Sequence, residues 1–298
     1  MSVPGEPLDP LDPLPPASDG RSRLLRGWSL REEGAKGVAI ATLSTLVVLA
    51  LLVVAATRSP YWPQVKESFF SREVFAESFP NILGVFVRNI AYFLAAEPVI
   101  LAFALLLAVL RSLRGPAFFP LRLMATIYVD VFRGIPTVLV VYTLGFGLPA
   151  LQIPGLPVAG WFWGLVGLIL SYSAYVAEVY RAGIESVHPS QSAAARALGL
   201  GRWATLRYVV IPQAVRRVVP PLMNDFISLQ KDTALIAFVS GFNPEVFLQA
   251  QIESAATFNF TPLLGAALCF LVITIPMTRF TDWLLERQRR RRQTGTVA

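Results

Sequence analysis

The chain is poor in charge, in cysteine and in histidine, and each shortage closes off a class of function. Asp, Glu, Lys and Arg make up 15% of its 298 residues, against 54% hydrophobic residues and a mean hydropathy of +0.56. A soluble domain carries about 25% charge, so a bilayer is the solvent that this composition fits. The one cysteine, Cys269, lies in an apolar run, which rules out an internal disulfide or a thiolate metal site and leaves packing as its role. The one histidine, His188, has no second His or Cys ligand nearby, so neither a zinc site nor a catalytic triad is expected, and it reads as a loop residue. The chain holds no G-x-x-x-x-G-K-[ST] loop and no Gly-Lys pair, so it carries no phosphate cradle of its own.

What is present is a series of long apolar runs separated by arginine clusters. A net charge of +7 and a pI near 9.9 would suggest nucleic acid in a soluble protein with one basic face. Here the basic residues fall between apolar runs, which is how positive charge marks cytosolic loops, and no nucleic-acid partner is expected.

Residues 1–36 are polar and rich in proline, with Arg21, Arg23, Arg26 and Arg31 ahead of the first apolar run, and read as a disordered cytosolic tail with no cleaved signal. Val38 to Ala56 has no charge and, at ~1.5 Å per residue, comes close to crossing a ~30 Å hydrocarbon core. Residues 58–80 mix Lys66, Glu67, Arg72, Glu73 and Glu77 with aromatics and suit an external loop with an amphipathic piece. The second span runs from Asn89 to Leu110, interrupted by Glu97 and Pro98, and is followed by a basic loop with Arg111, Arg114 and Arg122. The third covers Ile127 to Leu148 and contains the helix-breaking Phe132-Arg133-Gly134-Ile135-Pro136 near the cytosolic surface. After an uncharged external turn from Pro149 to Gly160, the fourth span extends from Trp161 to Val179. Residues 181–217 form a large cytosolic loop with six arginines and one acid, Glu185. The fifth span is Val218 to Val239, the loop from Gly241 to Asn259 faces out, and the sixth span, Pro262 to Leu285, ends in an arginine-rich cytosolic tail, residues 287–298. The expected fold is thus all-α and polytopic, with about six transmembrane helices and both termini in the cytosol.

The most informative stretch is Glu178 to Pro221. Ser190 can cap a short helix, Gln191 to Leu198 is Ala-rich, and Gly199 supplies a left-handed C-terminal position. Arg202 to Val210 can form a second short helix stopped by Pro212. Two such helices, with Ala193, Ala194 and Ala195 flanked by Arg196 and Arg202, make a compact knob that fits a groove on another protein; the plainer reading is a solvated connection.

This segment resembles the EAA loop of ATP-binding-cassette importer permeases: Glu-Ala-Ala, three residues, Gly, nine residues, Ile, any residue, Leu, Pro. Ala193, Ala194, Ala195, Gly199, Val209, Ile211 and Pro212 keep that spacing, with Ala193 where the family has glutamate. From about Asn89 to Leu285 the chain resembles the polar amino-acid branch, on four segments in register: Phe132 to Pro136, Ala177 to Ile184, Ile211 to Ala214, and Leu229 to Leu235. The resemblance implies a core over residues 81–286, commonly of five spans, with residues 37–57 as an added N-terminal helix in the cell membrane. It also implies the partners: a cytosolic ATPase dimer that binds ATP and Mg and grips the knob, a second permease subunit (identical or homologous), and an extracytoplasmic solute-binding protein. No cofactor is expected in this chain itself. The coupling residues would be Gln191, Ala193, Ala194, Ala195, Arg196, Gly199, Arg202 and Pro212, and shape would have to replace the missing glutamate in docking.

Polar groups at membrane depth are the substrate candidates, because such charges are costly there. Lys231, Asp232 and Thr233 offer an ammonium, a carboxylate and a hydroxyl that suit a zwitterion; a mutually compensated pair is the plainer reading. Glu97 beside Pro98 reads first as a packing or kink residue, and Glu178 with Arg181 first as an interhelical or loop brace. The rival functions are an ion-coupled secondary amino-acid transporter, which needs no knob, and a scaffolding membrane subunit. An enzyme is least favoured, since no nucleophile and base pair or metal cluster is visible.

Overall fold

A computed structural model of the chain describes residues 34–113 and 115–294, and all regular structure among them is helical. The expected N-terminal tail lies outside the described residues, apart from the helical start at Gly34. The chain divides into two units, up to Pro63 and from Gln64 onward.

The first unit contains α1 (Gly34–Thr57), which is apolar all round. Its hydroxyls are folded back on its own carbonyls, Thr42 to Val38 at 2.8 Å, Thr45 to Ala41 at 2.8 Å and Thr57 to Val53 at 2.8 Å. A helix that satisfies its polar atoms internally can sit in hydrocarbon without an unpaired donor.

The amphipathic α2 (Trp62–Phe69), which spans the boundary residues, leads into α3 (Arg72–Ser112) of the second unit, whose 41 residues run unbroken through Pro80 and Pro98. The expected external loop is therefore helical from Arg72, and neither proline ends the helix. Each proline removes one backbone donor, and the continuous apolar packing of Ile82, Phe86, Phe93, Ile100 and Leu107 holds the axis together.

The third expected span is two helices, α4 (Phe119–Gly134) and α5 (Thr137–Ala150), bent by 101°. The cause is local: Pro136 forces Ile135 out of the helical region, to φ −95 and ψ 131. Then α6 (Gly160–Glu185) forms the centre of this unit, packed by α3, α5 and α9 (Ile211–Asp232). Glycines allow the close approach, since a Cβ at Gly167 would lie 3.1 Å from the Val141 Cα.

Between α6 and α9 stand α7 (Pro189–Ala197), α8 (Arg202–Thr205) and a π-helical turn, Leu206–Val210, that runs straight into α9. Pro212 does not stop the helix; it is the second residue of α9, directly after the π-helical turn. Beyond Asp232 the chain tightens into a 3-10 turn, Thr233–Phe238.

The segment expected as an outer loop holds α10 (Val246–Thr257), and α11 (Thr261–Thr294) continues through most of the expected basic tail. At its start α10 is pinned to the middle of α3. At its end the Phe260 N–H donates to the Ser68 carbonyl at 2.7 Å and Asn259 to the Glu67 carbonyl at 2.8 Å. Hence α10 runs back along the first half of α3, with Ile82, Phe86, Val246, Ala250, Ala266 and Cys269 as a shared core.

Among the described residues four helices are long and apolar enough to cross a membrane, or five if the bent α4 and α5 pair is one span. The remaining expected crossing falls on α9 and the turn after it, where Arg216, Arg217, Asn224, Asp225, Gln230 and Lys231 leave no long apolar stretch.

Candidate functional site

The knob is built by local chemistry. His188 precedes Pro189 and its Nδ1 accepts from the Ser190 N–H at 3.2 Å, so the histidine is the cap and Ser190 lies inside the first turn. At the other end Gly199 takes φ +87; its N–H donates to the Arg196 carbonyl at 3.0 Å and that of Leu200 to the Ala195 carbonyl at 3.2 Å. This paired closure needs a left-handed residue, which glycine supplies without strain. Ala195 is buried against the rest of the knob, while Gln191, Ala193, Ala194, Arg196, Gly199 and Arg202 are exposed. Leu198, Trp203 and Tyr208 are exposed as well, at 84%, 72% and 71%. Pro212 lies apart from this surface, at the head of α9.

The five polar candidates in the helices do not form one cluster. Lys231 is exposed, the Asp232 carboxylate accepts from the Tyr172 hydroxyl at 2.8 Å, and Thr233 is buried. The Thr233 hydroxyl donates to the Gln230 carbonyl at 2.7 Å and accepts from Asn89 at 3.2 Å, so three adjacent residues face three environments. Glu97 is half-buried on α3, within electrostatic reach of Asp225 on α9. Glu178 is the hub of an ionic group: it accepts from Arg111 of α3 at 2.8 Å and from Arg181, and stands 3.8 Å from Arg133 of α4. Arg181 also reaches Glu185, and Arg217 of α9 donates to the Ser186 carbonyl. The ends of α3, α4, α6 and α9 nearest the knob are thereby joined through charged side chains.

A second buried network pins α10 to α3. Glu245 is fully buried and accepts from Asn89 at 2.8 Å, from the Phe247 N–H at 3.0 Å and from the Leu248 N–H at 2.8 Å. Asn89 returns the bond by accepting from the Val246 N–H at 3.0 Å. A buried carboxylate needs such donors, and here a helix N-terminus supplies two of them.

Residues 101–290 match the model of the family described as binding-protein-dependent transport system inner membrane component. The chain belongs to this family. The permease is 34% identical over 206 residues to the probable glutamine ABC transporter permease protein GlnM of Bacillus subtilis, across 68% of this chain and 93% of that one. It is 35% identical to the glutamate transport system permease protein GluC of Corynebacterium glutamicum, across 60% and 82% of the two chains. Among solved structures, an amino acid ABC transporter with histidines superposes with a TM-score of 0.65 at 28% identity, covering 73% of this permease and 98% of that chain. The chain is thus a multi-pass membrane subunit of an ABC importer, with ATP hydrolysis in a separate subunit, and the ion-coupled alternative is set aside.

Sequence reading missed several polar residues of the permease. Arg111 reads as part of a basic loop and Arg133 as part of the helix-breaking stretch of the third span, and the two converge on Glu178. Asn89 and Glu245 lie 156 positions apart, and nothing in either stretch marks them as partners. Asp225 had the one usable signal, an acid placed two turns before Asp232 in a chain with few acids.

Proposed function

We propose that this permease, paired with an identical or homologous copy, forms the pathway of an ATP-driven importer of polar amino acids. The observation that carries this reading is the rigid knob of α7 and α8, closed by Gly199 and presenting small alanines beside Leu198, Trp203 and Tyr208. Such a surface suits a groove in an ATPase dimer, and shape and apolar contact do the docking where Ala193 has replaced a charge. The glutamine and glutamate permeases among its relatives support the amino-acid class of substrate.

In this reading α9 is the fifth of six crossings, its polar face lines the pathway, and the knob lies between the fourth and fifth crossings of the added α1 and the core. Closure of the ATPases around bound ATP and Mg pushes the knob, and the continuous π-turn and α9 carry the motion into the bundle. Gln191, Arg196 and Arg202 contact the ATPase; Pro212 keeps the α9 entry stiff. Lys231, Asp232, Glu97 and Glu178 lie along or beside the pathway, and Thr233 serves as a fixed internal contact.

Reconstitution of the permease with its ATPase and binding protein in liposomes tests this. Amino-acid uptake should require ATP and all three components. Uptake by this chain alone under an ion gradient would overturn the proposal.

A further inference from the structure

We propose that His188 makes the knob a pH-sensitive coupler: the neutral imidazole caps α7 and keeps the joint with α6 stiff, and a proton on Nδ1 removes the cap and loosens that joint. This rests on the reading of the knob as the contact with the ATPase.

The joint is short and is held at three points. Ser186 ends α6 and its carbonyl accepts from the Arg217 guanidinium of α9, Val187 is buried, and His188 turns the chain into Pro189 at the start of α7. At that turn the imidazole stands where a Ser, Asp or Asn side chain would ordinarily cap. Its Nδ1 accepts from the Ser190 N–H at 3.2 Å and lies 2.7 Å from the Ser190 hydroxyl oxygen. Only the uncharged ring has a lone pair to offer at that atom. An asparagine would cap as well and would ignore pH, whereas imidazole is the side chain whose ordinary titration falls between about pH 5 and 8. The chain has a single histidine, and this is where it stands.

A proton on Nδ1 acts twice. It turns the acceptor into a donor, so the Ser190 N–H loses its partner, and it sets a positive charge on the positive end of the α7 dipole. The surroundings do not compensate it. The knob packs α7 against α8 and the π-turn, and α9 reaches the joint; these elements bring Arg202, Arg207, Arg216 and Arg217, with Arg196 at the far end of α7 itself. On α6, Glu185 is held by Arg181, and Glu178 by Arg111 and Arg181. Among the described residues no ion pair includes His188. The capped joint thus holds one proton fewer than the open one, so a falling pH favours opening and a rising pH restores the cap. Gln191 lies in the first turn that this cap holds, next to the alanines offered to the ATPase, and the same helix leans on the π-turn that leads into α9. Acid on the knob side should therefore weaken the transmission of force while leaving the ATPase its own chemistry.

Hydrogen exchange of the full chain with its ATPase in lipid nanodiscs tests the cap, read by mass spectrometry over residues 188–198 and corrected for the intrinsic pH dependence of exchange. From about pH 7.5 to about pH 5.5, protection in the parent should fall about tenfold, the equivalent of one lost cap. His188→Asn should match the parent at the higher pH and change by less than about twofold, and His188→Ala should be weakly protected throughout. In liposomes, amino-acid uptake per ATP in the parent relative to His188→Asn should fall severalfold over the same range, since a pH response of the ATPase itself appears in both and cancels. Equal pH profiles of the parent and His188→Asn in either measurement would overturn the proposal. A flat exchange profile with ATP-driven uptake intact sinks this proposal alone; if neither protein takes up amino acid at any pH, the importer reading falls and the coupling role with it.

Discussion

Asn89 shows how much one side chain can carry in this bundle. Its amide closes three bonds at once, to Glu245, Thr233 and the Val246 N–H, at 2.8, 3.2 and 3.0 Å. Asn89→Leu keeps the volume but strips a buried carboxylate of a donor and leaves an N–H unpaired, at about 1–3 kcal/mol for each group. The thermal midpoint of the purified permease should fall by roughly 5 °C or more, and partial recovery is expected in the Asn89→Leu, Glu245→Leu double variant, where both partners are removed together. An unchanged midpoint in Asn89→Leu would mean that α10 is held by its apolar face alone. Glu178 raises the same question for charge. Glu178→Gln leaves Arg111 and Arg181 facing each other with Glu185 as the nearest acid, so its loss of stability should exceed that of Arg111→Gln, which removes one spoke and keeps the hub. Thermal midpoints of the two variants, measured in the same detergent, check this order.

At the scale of helices, what was legible in the sequence was whatever local chemistry decides. Pro136 breaks α4 from α5 and Gly199 closes α7 because proline and glycine restrict or free their own backbone. The Ala-rich run is helical because nothing in it competes with the backbone. What stayed hidden depends on distant partners. Residues 72–80 looked like a charged loop, but the Ser71 hydroxyl caps the Val74 N–H at 3.4 Å and the Ser71 N–H reaches Thr261 at 3.1 Å, so α3 starts early. The segment from Gly241 to Asn259 reads as a loop with two acids, yet one of them, Glu245, is the cap of α10 and the other, Glu253, accepts from Asn81 at 2.9 Å. The knob is the element to test by geometry. Gly199→Val must place a β-branched residue at φ +87, which loosens the turn between α7 and α8. ATP hydrolysis by the assembled importer should persist while uptake per ATP falls severalfold, measured side by side in liposomes. Unchanged coupling would show that the knob transmits no force.

For the molecule as a whole, the direction of transport depends on which side of the bilayer the knob occupies. The proposed cytosolic side rests on the arginines: Arg196, Arg202, Arg207, Arg216 and Arg217 all lie between α6 and the middle of α9, while the turn between α5 and α6 has none. In the proposed six-crossing reading, an added α1 reverses the side of the N-terminus relative to a five-crossing core and brings both ends inside. This can be read with single cysteines, since the chain has only Cys269, which is replaced by alanine in the test background. In that background, Val158→Cys, 73% exposed in the turn before α6, should react with a membrane-impermeant maleimide in intact cells. Leu198→Cys, 84% exposed on the knob, should react only after the membrane is opened. The reverse pattern would put the knob out of reach of any ATP-hydrolysing partner. The arginine-rich loops would then mark the outer surface, and the force-transmitting path from knob through π-turn to α9 would have nothing to drive it.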